Sequence, residues 1–129
     1  MRNQAAALKR ELDRRWFARA VDRVVASLSS ELQLSMDNLH IVVEAEPPEA
    51  LSSGPDDQLF GFYEGVPLTE RSGDYGLVLP DRIMIYQGPL ERAFPDSADL
   101  YEQIRITVLH EIAHHFGIDE PRLAELGYE

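Results

Sequence analysis

Three of the four histidines in the chain fall within six residues, and two of them frame a glutamate: His110-Glu111-Ile112-Ala113-His114. On a helix, residues i and i+4 are separated by about 40° around the axis and about 6 Å along it. Two imidazoles so placed can converge on one metal ion, and zinc is the ion that nitrogen donors of this kind commonly hold. Glu111 stands about 100° round from His110, where it flanks the ion and can act as general base toward a water there. With 4 histidines and 13 glutamates among 129 residues, chance produces this pattern roughly 0.01 times per chain. Two satisfied histidines on a half-buried face would account for neither Glu111 nor the clustering.

A catalytic zinc usually keeps three protein ligands and one open position. The motif extends to His110-Glu111-x-x-His114-x-x-Gly117-x-x-Glu120, similar to the metzincin spacing with an acid in the last place. Gly117 would let the chain turn sharply enough for Glu120 to reach the metal. Asp119 is the alternative third ligand, and Glu125 would take the part if the ligand came from a second, downstream helix. His115 points about 100° away from His114, which makes it a partly buried neighbour of the ligands and not a ligand. His40 reads as an exposed strand residue.

The elements that must position these groups are legible in outline. Leu100, Ile104, Val108, Ile112 and Phe116 recur at i+4 and predict a helix that starts at Pro95-Asp96-Ser97, carries Asp99 in its first turn and stops at Gly117. Pro121 prevents that helix from continuing, and a segment of about two turns is expected over 122–128. A first helix is expected from about Ala5 to Leu32, with Phe17, Val21, Val24, Val25, Leu28 and Leu32 as its apolar stripe. Its first ten residues are expected to fray, and Arg14, Arg15, Arg19, Asp22 and Arg23 are assigned to the solvated face. Between the helices, strands are expected at Leu39–Ala45, Leu59–Tyr63, Tyr75–Leu79 and Arg82–Tyr86, the last stopped by Gly88-Pro89. Ser52 to Asp57 reads as a surface loop. The expected architecture is therefore α/β in the α+β sense: a small twisted sheet packed on an N-terminal helix and a site-bearing helix, with residues 1–129 forming one domain.

Composition narrows the function. No cysteine is present, which excludes thiolate ligands, disulfides and cysteine nucleophiles. Twelve basic against 23 acidic residues give a net charge of −11, so no basic footprint exists for nucleic acid. No apolar run approaches the ~20 residues of a membrane span. The amino terminus has no apolar signal core, and a cytoplasmic location is expected.

The stretch from Arg105 to Glu120 resembles a small bacterial family of zincin-like metallopeptidases described as a minimal metzincin domain. Gly65 to Arg71, Leu79 to Tyr86 and the tail Glu125 to Tyr128 are also similar to that family, so the resemblance spans about residues 11–129. It implies a zincin-like fold with one zinc, two histidine ligands and an acidic third ligand, often Asp in the family where this chain has Glu120. The expected function is zinc-dependent hydrolysis of a peptide or protein substrate, with Glu111 as general base. Zincins usually hold an extended peptide beside an edge strand, and Arg82–Tyr86 is the expected edge. The rival reading is a zinc-binding interaction protein of the same fold without peptidase activity. The short region after Gly117 and the lack of a following methionine suggest a shallow site, or one completed by another chain.

Overall fold

The computed structural model describes residues 2–28, 30, 33, 36, 38–51, 59–65, 81–118 and 120–125. In chain order these form α1 (Arg2–Ala26), β1 (Leu39–Glu44), a 3-10 turn (Glu49–Leu51), β2 (Gly61–Glu64), β3 (Asp81–Tyr86), α2 (Gln87–Ala93), α3 (Ser97–Phe116) and α4 (Glu120–Glu125). The expected strand at Tyr75–Leu79, the loop from Ser52 to Asp57, and residues Leu32, Asp119 and Leu126–Tyr128 lie outside the described residues.

The sheet has the order β1-β3-β2. β3 runs parallel to β1, with Ile41 opposite Ile83, and antiparallel to β2, with Tyr63 opposite Ile83. Both hydrogen-bonding edges of β3 are therefore used. The expectation that Arg82–Tyr86 is an edge strand is wrong: it is the central one. The reason was present in its composition, because Ile83, Met84, Ile85 and Tyr86 are all buried, and an unbroken apolar run marks a strand covered on both faces. β2 is an outer strand of the described sheet instead.

α3 packs on β2 and β3, and α1 packs on α3. One continuous core results, with Phe17, Val21 and Val24 of α1, Ile104, Val108 and Ile112 of α3, and Ile83 and Ile85 of β3 all buried. Leu39, Ile41 and Val43 of β1 pack against it from the strand face predicted to be apolar, while His40 is exposed as expected. α1 begins at Arg2, earlier than the start expected near Ala5. Ion pairs one helical turn apart, Lys9–Asp13 at 3.0 Å and Glu11–Arg15 at 3.2 Å, support that exposed half.

β3 ends at Tyr86, but Gly88-Pro89 does not open a plain turn: α2 starts there, a helix the sequence reading missed. Pro89 stands in its first turn, where a missing N–H costs no hydrogen bond. Gly88 is required by close approach. Its N–H donates to the Ala45 carbonyl at 2.8 Å, and a Cβ there would lie 2.7 Å from that same oxygen.

Candidate metal site

α3 starts and stops as its sequence dictates. Asp96 is the N-cap and accepts a hydrogen bond from the Asp99 N–H at 3.2 Å. At the other end Gly117 adopts the left-handed conformation (φ 70°, ψ 31°), and the Ile118 N–H reaches back to the Ala113 carbonyl at 2.8 Å. That is a Schellman closure, and it fixes the last turn of α3, which carries the histidines. The i+4 apolar repeat turns Ile104, Val108 and Ile112 into the core, so the face bearing His110 and His114 looks toward β2 and solvent.

The structure brings together three of the residues singled out from sequence. One ligand atom from each of His110, Glu111 and His114 lies within 4.8 Å of the others. The two imidazole rings are 4.7 Å apart, centroid to centroid, and His114 Nδ1 lies 3.7 Å from Glu111 Oε2. The His114 side chain is half exposed, whereas that of Glu111 is only 6% exposed. Burial raises the Glu111 carboxyl above its ordinary range, and nearby His110 partly offsets this. Glu111 Oε2 is buried and makes no hydrogen bond among the described residues. A buried carboxylate oxygen left so is costly, and two imidazoles beside it form a nitrogen donor set that suits zinc.

Of the proposed third ligands, Glu120 opens α4, but its side chain and all of Asp119 lie outside the described residues. Glu125 does not join the cluster; it is exposed and pairs with Arg122 at 2.9 Å.

A cavity of about 480 Å³ runs between β2 and α3, with Phe60, Gly61 and Tyr63 on the strand side and Ile106, His110 and His114 on the helix side. Gly61 sets its width. A Cβ there would meet Thr107 Cγ2 at 2.8 Å and Glu111 Cγ at 3.1 Å, so only glycine lets the strand lie this close to Thr107 and Glu111. Three residues that the sequence reading did not single out thus shape the site: Gly61, Tyr63 and Asp81. Tyr63 stands edge-on to His114, its ring 6.3 Å away at 83°. Asp81, the first residue of β3, is buried beside His115, which is itself 1% exposed and so more deeply enclosed than expected. The one sequence signal for Asp81 was a charge opening an otherwise apolar strand.

Among the described residues no helix is long and apolar enough to cross a membrane. The family model of zincin-like metallopeptidases matches residues 36–128. No curated protein is significantly similar to the chain. Among solved structures, a conserved hypothetical protein of T. thermophilus shares the fold, with a TM-score of 0.58 at 19% identity over 89% of this chain and 98% of that one.

Proposed function

Because the chain belongs to the family of zincin-like metallopeptidases, we propose that it is a zinc-dependent peptidase whose hydrolytic site is the His110–Glu111–His114 cluster. The observation that carries this reading is the buried Glu111 carboxylate, with an oxygen that no described group satisfies, beside two imidazoles on one helix face. A site that only held a metal would need no base there, and would usually be closed by a fourth protein ligand.

His110 and His114 would hold the ion through neutral imidazole nitrogens, with Glu120 as the third donor and Asp119 as the alternative. Zinc, when bound, supplies a Lewis acid that acidifies water and polarises a carbonyl. The chain's own contribution is positional and protolytic. Glu111 takes the proton of the attacking water and returns it to the departing amine. Its enclosed position keeps the carboxylate poorly solvated and therefore more basic than a surface glutamate. Among the described residues β2 is an outer strand and lines the cavity, so a peptide added along it as a further strand would pass its backbone beside Glu111. Peptides or proteins are thus the proposed substrates. The net charge of −11 disfavours nucleic acid, and the cytoplasm is the proposed compartment.

Zinc affinity and cleavage of an unbiased peptide mixture, followed by mass spectrometry, test the assignment. One zinc per chain is expected at neutral pH, lost on acidification as the imidazoles protonate. Glu111→Gln should retain zinc and lose cleavage by at least a hundredfold. Glu120→Ala should weaken zinc by more than tenfold, and Asp119→Ala should do less. A chain that takes up no zinc overturns the site, and one that binds zinc but cleaves nothing is the interaction protein of the rival reading.

A further inference from the structure

Behind the metal site lies a polar cluster that hydrolysis as described leaves unused. The Tyr63 hydroxyl donates to Asp81 Oδ2 at 2.5 Å, and His115 Nδ1 lies 2.9 Å from that same oxygen. Asp81 and His115 are each 1% exposed. The three side chains come from three elements, β2, β3 and α3. Asp81 is further tied through its own N–H to the Asn38 carbonyl at 3.1 Å. Gly65, at the end of β2, leaves room for it, since a Cβ there would lie 2.5 Å from the carboxylate.

The contacts close into a ring around the second histidine of the motif. His115 follows His114 on the same turn of α3, so fixing His115 to Asp81 fixes the backbone that carries His114. Asp81 fixes the Tyr63 hydroxyl, and the Tyr63 ring meets the His114 ring edge-on. The His114 side chain is 48% exposed, and a half-exposed imidazole gains more from such a brace than an enclosed one, whose rotamer packing already fixes. Stability alone is a poor reason for the cluster. A carboxylate and an imidazole buried this deeply could often be replaced by packed apolar groups with no loss of stability. Their place immediately behind a ligand gives the cost a purpose.

We propose that Tyr63, Asp81 and His115 are positioning residues that hold His114 in its metal-binding orientation. The proposal rests on the reading of His114 as a ligand, and its test separates the two. Tyr63→Phe keeps the ring and removes the hydroxyl, Tyr63→Leu removes both, and Asp81→Asn weakens the acceptor that joins the cluster. Tyr63→Phe should melt within about 3 °C of the parent when metal-free, yet bind zinc about tenfold more weakly in competition with a chromogenic chelator. Its cobalt-substituted form should show a shifted visible spectrum, because the coordination geometry relaxes. Tyr63→Leu should be weaker again.

A second readout needs no metal. In the metal-free parent, side-chain couplings measured by NMR should report one His114 χ1 rotamer, and in Tyr63→Phe they should report averaging. An unchanged rotamer population, or unchanged zinc affinity and cobalt spectrum in Tyr63→Phe, would overturn the proposal. So would an affinity that falls only in step with melting temperature across the three variants, which is the mark of a merely structural role. If Asp81→Asn does not fold, the two Tyr63 variants decide. A parent that binds no zinc strikes the metal reading, and the rotamer measurement still judges the brace.

Discussion

α1 and α3 are the two long helices among the described residues and bury the same kinds of aliphatic side chain against each other, but they differ in what else they bury. The enclosed face of α1 is Phe17, Ala20, Val21 and Val24, without one polar group. That of α3 interrupts Ile104, Val108 and Ile112 with Thr107, Glu111 and His115. Thr107 satisfies itself by donating to the Gln103 carbonyl at 2.7 Å, an ordinary arrangement in a helix. Glu111 and His115 cannot do so, and each keeps one buried side-chain atom without a hydrogen bond among the described residues. A helix that only holds a fold together has no use for such groups, since each costs free energy to enclose. The contrast separates scaffold from site without reference to any motif.

The sharpest way to break the contrast is to give α1 what α3 carries. Phe17→Asp puts a carboxylate at a position that is 0% exposed, within a cluster of buried apolar side chains. The cost is several kcal/mol on top of the lost aromatic packing, enough to unfold a domain of this size. Circular dichroism should show little native structure at 25 °C. A cooperative transition near the parent's would mean that α1 does not seat where it is described.

Gly61→Ala acts from the strand side of α3. The new methyl must displace Thr107 Cγ2 and the Glu111 stem, an overpacking expected to cost about 1–3 kcal/mol. Because the displaced group is the proposed base, cleavage should fall further than stability alone accounts for. Equal losses in denaturant midpoint and in kcat/KM would show that the strand does not set the position of Glu111.

Glu111 also makes the metal-free protein sensitive to pH in a defined direction. Burial raises its carboxyl from the ordinary 4.5, so the folded state holds that proton more tightly than the unfolded chain. Stability contributed in this way is complete below about pH 4.5 and is lost as pH rises through the raised value. Urea midpoints of the metal-free parent should therefore decline over that interval, and those of Glu111→Gln should decline less. Parallel profiles would place the carboxylate in a better solvated setting than described.

Much of this could be read from residue order, and what could not has specific physical reasons. The cap at Asp96, the stop at Gly117 and the stripe of α3 are local effects, decided within four or five residues, and the sequence showed them. The cluster of His110, Glu111 and His114 follows from helix geometry alone. Strand order is not local: that β3 lies between β1 and β2 depends on partners about 20 and 40 residues away, although its unbroken apolar run hinted at it. The partnership of Tyr63 and Asp81 with His115 was not legible for the same reason, since they stand 52 and 34 residues from it. Gly61 looked like any strand glycine until a helix was laid against it.

The smallest prediction returns to the polar side of α1, where the sequence treated Arg19 and Arg23 alike as solvated. The structure separates them. The Arg23 guanidinium stands over the Tyr101 ring of α3, 5.7 Å from its centroid, whereas no contact of this kind is described for Arg19. A cation over an exposed aromatic face contributes about 0.5–1 kcal/mol, and the arginine stem covers apolar surface besides. Arg23→Ala should therefore lower stability by about that amount and Arg19→Ala by less than about 0.5 kcal/mol. Arg23→Lys should fall between, because an ammonium keeps the charge but lacks the flat face that stacks on a ring. Tyr101→Leu supplies the control: in that background the difference between Arg23→Ala and Arg19→Ala should shrink to what the stem contributes, since the double-mutant cycle removes the ring. If the difference persists undiminished without the ring, Arg23 acts through its stem on the α1–α3 seam, and the contrast between the helices extends to their margins by packing alone.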